Sequence, residues 1–133
     1  MEHRLMRHDR SSVSGKFLSQ LINDIVKWGL DRQLVGPNAF ATIDGQSKKM
    51  IEEAMELRTA CFFAWWQESI ADHEIPESIE NEITDGIGDT LVTLILLCEL
   101  TGRSLADCLD YAHEQIKDRK GRIEEGVFVK DDE

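Results

Sequence analysis

Carboxylates at helical spacing are the residues of this chain that carry the most chemistry. Glu52, Glu53 and Glu56, with Lys49 ahead of them, fall within one arc of a helix, because side chains three and four residues apart share a face. Glu82, Asp85 and Asp89 repeat the spacing further on, and their stripe continues as Val92, Leu96 and Leu100. The second acidic set therefore points along a line that becomes hydrophobic core. Asp is a poor helix former, and like charges one turn apart on a partly buried face repel and lose hydration. Gly86 and Gly88 lie among them, each costing about 1 kcal/mol relative to Ala in a helix interior. Selection for stability alone would not keep such a segment.

Two acidic faces opposed on neighbouring helices make a site of hard oxygen donors, and a compact carboxylate cage with room for water suits Mg²⁺ or Mn²⁺. A bound cation would relieve the repulsion that otherwise disfavours the arrangement. The histidines do not join in: His3 and His8 lie near the start, His73 in a loop and His113 on the last helix, so the Glu-x-x-His pattern of di-iron bundles is missing. There is no Cys/His cluster for zinc either. Each feature also has a plainer reading: a run of Glu on a helix is the usual form of a solvated face, and Lys49 either contacts a phosphate oxygen or pairs with Glu53 at i,i+4.

The elements that must position these side chains are helices. Gly36-Pro37-Asn38, Ile75-Pro76 and Gly102 divide the chain into four stretches, each with helical periodicity. The first helix is expected from about residue 16 to 34, with Phe17, Leu21, Ile25 and Trp28 repeating at spacings of three and four. The second should start near Asp44 and pass Trp66, and the third should open at Ser78 and end before Gly102. Ser104 is a good N-cap for the fourth, with Asp107 three residues later, and that helix should reach about Lys120. The expectation is an all-α, antiparallel four-helix bundle-like fold in a single domain over 1–133, with a flexible N-terminal tail at 1–15 and a C-terminal tail at 122–133. The runs Cys61-Phe62-Phe63-Ala64-Trp65-Trp66 and Leu91-Val92-Thr93-Leu94-Ile95-Leu96-Leu97-Cys98 are apolar around nearly the whole helix. Such helices need burial on all sides, so a homo-oligomer, dimer or tetramer, is expected.

Composition narrows the partners. The 133 residues hold 26 Asp+Glu against 15 Lys+Arg, a net charge of -11, with 41% hydrophobic residues. An excess of negative charge repels polyphosphate backbones and anionic lipid, so nucleic acid and membrane are not expected partners. Cys61, Cys98 and Cys108 are odd in number and widely spaced, which suits small buried thiols in a reducing cytoplasm. No signal peptide and no apolar run of bilayer length is evident, and a cytoplasmic location is expected.

Taken together, Gln46-Ser47-Lys48-Lys49-Met50-Ile51-Glu52-Glu53-Ala54-Met55-Glu56-Leu57, with Asp85-Gly86-Ile87-Gly88-Asp89 and an apolar helix after it, resemble the EExxE and downstream acidic signature of the MazG-like all-α nucleoside triphosphate pyrophosphohydrolases. The stretch Ile25 to Leu34, containing Trp28, Asp31 and Arg32, is similar to the lead-in of the short single-domain members. Glu114 to Gly121 is similar to their C-terminal segment. The resemblance covers roughly residues 21–130, with four motifs in order. One departure stands out: the family commonly has Glu three residues before the final Asp, where this chain has Gly86, with Asp85 one position earlier.

The resemblance implies Mg²⁺-dependent hydrolysis, with Mn²⁺ as a possible replacement, between the α and β phosphates of a nucleoside triphosphate, giving a nucleoside monophosphate and pyrophosphate in nucleotide-pool house-cleaning. It implies Glu53, Glu56, Asp85 and Asp89 as metal ligands. An alternative set uses Glu82 and Asp85 as Glu-x-x-Asp and makes Asp89 secondary. Glu52 is the candidate to orient or deprotonate the attacking water, or else a solvent-facing Glu. Lys49, Lys117, Arg119 and Lys120 are candidate phosphate contacts. The last three, with Arg122, equally suit cations complementing a helix C-terminus. Trp28 and Arg32 at i+4 would line a base pocket, or else be a core Trp and an exposed neighbour. The alternative function is a non-catalytic acidic helical oligomer, a metal-stabilised interaction module.

Overall fold

In the computed structural model, which describes residues 12–132, the chain is mostly helical and ends in a small two-stranded sheet. The order is α1 (Leu18–Asp31), α2 (Ile43–Ser69), α3 (Glu77–Leu100), α4 (Leu105–Ile116), β1 (Gly121–Glu124) and β2 (Val127–Lys130). The described residues up to Gly102 form one compact unit and those from Arg103 another. The stretch 1–11, with most of the expected N-terminal tail and with His3 and His8, lies outside the described residues.

The first unit is built on an antiparallel pair, α2 and α3. Thr42 starts α2, its hydroxyl oxygen accepting a hydrogen bond from the Gly45 N–H at 3.0 Å and so satisfying one of the free donors of the first turn. Near that end the Gln46 side-chain amide donates to the Thr93 carbonyl at 3.4 Å. Midway, Gly86 packs on Leu57: a Cβ at Gly86 would lie 3.1 Å from the Leu57 Cβ and 3.2 Å from its Cα. Gly86 is buried, and its missing side chain is what lets the helices come this close.

Helix α1 packs on α3 through Gly29, where a Cβ would come within 2.7 Å of a Leu96 methyl. The backbones of α1 and α2 each approach α3 and do not approach each other. The buried apolar residues are Val35, Ala60, Ala64, Ile95 and Leu96, and among the described residues no large side chain is completely buried.

The helix ends differ from the sequence expectation at two places. Helix α1 stops at Asp31, three residues early, because Gln33 takes a left-handed backbone (φ 58) and the Leu34 N–H turns back to the Gly29 carbonyl at 2.9 Å. Helix α4 is capped as expected, the Ser104 hydroxyl accepting from the Asp107 N–H at 3.0 Å, but it ends at Ile116 rather than near Lys120. The chain then forms a β-hairpin in place of the C-terminal tail expected of an all-α fold. Gly121 pairs with Lys130 and Glu124 with Val127, joined by Glu125 and Gly126 at φ 49 and 78. Two consecutive left-handed residues give the turn whose twist matches a tight antiparallel hairpin. No helix among the described residues is long and apolar enough to cross a membrane.

Candidate functional site

The acidic stripe of α3 and one glutamate of the α2 stripe line a common cleft. Glu56 from α2 and Glu82, Asp85, Gly86 and Asp89 from α3 line a hollow of about 390 Å³. The arrangement comes from the local sequence: Gly86 brings the two helices together, and residues three and four positions away on the α3 stripe then flank the contact. Glu82, which the sequence leaves as an alternative to Asp89, lines the same hollow as Asp89. Its signal is the three-and-four spacing itself.

Glu53 is placed differently. It does not line the hollow, its side chain is only 12% exposed, and its carboxylate accepts from the Lys49 ammonium at 3.2 Å. The same ammonium lies 3.1 Å from Glu52, so Lys49 bridges both carboxylates. Those two hydrogen bonds raise the Lys49 pKa above its ordinary value. The Glu56 pKa is also raised, first by the negative charge of Glu53, then by burial and by Glu52. One lysine is not enough to balance three glutamates on one helix face, and Glu56 is where the excess charge is felt.

Among the described residues, no group of three or more His, Cys, Asp or Glu is gathered tightly enough to hold a metal ion. The carboxylates form an open lining rather than the compact cage expected from the spacing. The donor set nevertheless consists only of hard carboxylate oxygens with open space between them, which suits Mg²⁺ or Mn²⁺, ions that keep several waters when bound.

Of the two glycines, only Gly86 has a structural role. A Cβ at Gly88 would meet nothing within 4 Å, and nothing in the structure explains that residue. The buried contact at Gly86 is a packing reason for a glycine beside Asp85, so its presence does not by itself argue for catalysis.

Trp28 and Arg32 do form a pair on α1. The guanidinium carbon lies 4.5 Å from the Trp28 ring centroid and one of its nitrogens donates to the Trp28 carbonyl at 3.1 Å. Trp28 is 43% exposed, which corrects the core alternative. In the second unit, Lys117 pairs with Glu114 at 2.8 Å, and Arg122 with Glu124 at 2.7 Å. Arg119 and Lys120, with Lys130, line a separate hollow of about 770 Å³ together with Asp118, Asp131 and Asp132. The basic cluster is thus interleaved with carboxylates, because the hairpin folds residues near the C-terminus back beside it.

No family model matches the chain, and neither a curated protein nor a solved structure matches it.

Proposed function

We propose that the chain is a metal-dependent nucleoside triphosphate pyrophosphohydrolase of the MazG-like all-α kind, acting in the cytoplasm on the α–β phosphate bond. The observation that supports this reading is the acidic lining shared by two helices, Glu56 facing Glu82, Asp85 and Asp89 across one hollow. The expected four-helix bundle-like fold belongs to the same reading; the structure itself shows four helices, three in the first unit and α4 in the second. A reducing, cytoplasmic compartment belongs to the same reading.

Glu53, Glu56, Asp85 and Asp89 are the side chains that would hold Mg²⁺, Glu82 completing or replacing a ligand. When bound, the ion polarises the phosphoryl oxygens and offsets the charge of the departing pyrophosphate. Glu52 takes a proton from the attacking water, and Lys49, 3.1 Å away, fixes the orientation of that carboxylate. The water oxygen bonds to phosphorus as the bond to the α–β bridging oxygen breaks, leaving a nucleoside monophosphate and pyrophosphate. Trp28, already stacked with Arg32, offers a ring face to a base. Lys117, Arg119 and Lys120 are the phosphate-binding candidates of the second unit.

The test is pyrophosphate release from a panel of canonical and modified nucleoside and deoxynucleoside triphosphates, with Mg²⁺ or with EDTA. The expected result is turnover only with metal, reduced ~100-fold or more in Asp89→Asn and Glu56→Gln, as loss of a ligand or a proton-transfer group does. Absence of release from every nucleotide rejects the reading. The second reading, a non-catalytic acidic helical module, is favoured by Gly86, whose packing on Leu57 accounts for the glycine without chemistry. It expects Mg²⁺ to raise the melting temperature without any turnover.

A further inference from the structure

Threonines inside a helix usually satisfy their own hydroxyls. Thr59, Thr84 and Thr93 each donate to a carbonyl three or four residues back, Met55 at 3.0 Å, Glu80 at 3.1 Å and Thr90 at 2.6 Å. Thr90 makes no such bond. Its hydroxyl oxygen is buried and has no hydrogen-bond partner among the described residues. A buried hydroxyl left unpaired destabilises the fold that carries it, so this one calls for an acceptor close by.

Two contacts between α2 and α3 fix what lies opposite. The helices touch at Leu57 and Gly86, and again where the Gln46 amide donates to the Thr93 carbonyl. Thr90 comes four residues after Gly86 and three before Thr93, so it shares their face of α3, the one turned to α2. Glu53 comes four residues before Leu57 and seven after Gln46, so it shares the corresponding face of α2. Four residues advance a helix by about 6 Å. In an antiparallel pair, counting four from each side of the Leu57–Gly86 contact therefore brings Glu53 and Thr90 level with one another. The Glu53 side chain is largely buried, as that position requires, and its Oε1 accepts from Lys49 at 3.2 Å.

We propose that Thr90 is a positioning residue for Glu53. With a divalent cation in the hollow lined by Glu56, Asp85 and Asp89, the Glu53 carboxylate leaves Lys49 and turns toward the ion, and its second oxygen accepts from the Thr90 hydroxyl. Lys49 is half-exposed and keeps Glu52 as a partner, so releasing Glu53 costs it little. The carboxylate has no such latitude: in a largely buried seam, the oxygen that does not face the ion needs a donor of its own. This assignment rests on the metal-binding part of the proposed function and not on the hydrolysis.

Mn²⁺ binding to the full chain, read from the electron paramagnetic resonance of the free ion, is the experiment, together with melting in the absence of metal. Thr90→Val keeps the shape of the side chain and removes the hydroxyl, whereas Thr90→Ser keeps the hydroxyl and removes the methyl group. Thr90→Val should weaken Mn²⁺ binding about tenfold, the scale of a lost partner to a metal ligand. Thr90→Ser should stay within about twofold of the wild type, and in a Glu53→Ala background Thr90→Val should add less than about twofold. Without metal, Thr90→Val should melt no lower than the wild type, because the group it removes is unpaired. Wild-type binding that Thr90→Val leaves unchanged overturns the inference while the metal site stands. Equal losses in Thr90→Val and Thr90→Ser overturn it as well, since shape and not the hydroxyl is then at work. So does a full tenfold loss in the Glu53→Ala background, where the hydroxyl must serve another group, or a metal-free Thr90→Val that melts lower. A wild type that binds no Mn²⁺ overturns both this inference and the ligand set on which it rests.

Discussion

At the scale of single residues, Gly86 and Gly88 look alike in sequence and should behave in opposite ways. Gly86→Ala would press a methyl group against the Cα and Cβ of Leu57, and overpacking of this sort costs about 1–3 kcal/mol. Gly88→Ala meets only open space and should gain up to about 1 kcal/mol from helix propensity. Urea unfolding of the two variants checks both signs at once. Glu56 gives a pH prediction. Its folded pKa is raised above the ordinary 4.5 by Glu53 and Glu52, so the folded chain holds that proton more tightly than the unfolded one. The resulting stabilisation is fully present below the ordinary value and is lost as pH rises through the raised one. Without metal, Glu56→Gln should therefore melt higher than the wild type at pH 7, and the difference should disappear near pH 3. Thermal scans at the two pH values decide it, and a wild type that is equal or higher at pH 7 contradicts the charge argument.

At the scale of elements, the helices are legible because each carries a 3.6-residue apolar period and a recognisable start. Ser104 with Asp107 is the clearest case, and α2 begins one residue from the expected position. The early stop of α1 is not legible, since nothing about Gln33 announces a left-handed backbone. The hairpin escapes a sequence reading because its strands are four residues each and its turn is Glu125-Gly126 rather than the Asn-Gly or Asp-Gly pair that marks such turns. That turn makes a prediction of its own. Gly126 is at φ 78, where a β-branched side chain is strained, so Gly126→Val should cost about 1–2 kcal/mol. Amide exchange of residues 121–130, read by NMR, should accelerate while that of α3 stays unchanged.

At the scale of the molecule, the apolar runs of α2 and α3 are equivalent in sequence, and both ask for a second copy. The fold separates them. The run from Leu91 to Cys98 is buried or half-buried within the first unit, because α3 has α1 on one side and α2 on another. The run on α2 has only α3 as a helix whose backbone comes close to it. Sequence counts the apolar residues but not the neighbours available to cover them. The acidic cleft is legible for the same kind of reason: the spacing puts Glu82, Asp85 and Asp89 on one stripe, while the diversion of Glu53 to Lys49 depends on a side-chain choice that spacing does not dictate.

Because the backbones of α1 and α2 each come close to α3 and not to one another, α3 is the middle helix of the three. Detaching α1 breaks one seam, at Gly29 and Leu96, and leaves the α2–α3 pair whole. Helix α1 is then the first part to open in local unfolding, and its amides should exchange with solvent at a lower free energy than those of α3. Hydrogen exchange under native conditions would show it, and equal protection of the two helices would refute it. The acidic lining belongs wholly to the pair that stays closed, whereas Trp28 and Arg32 ride on the helix that opens. The carboxylates and the Trp28–Arg32 pair should therefore differ in how readily local unfolding releases them.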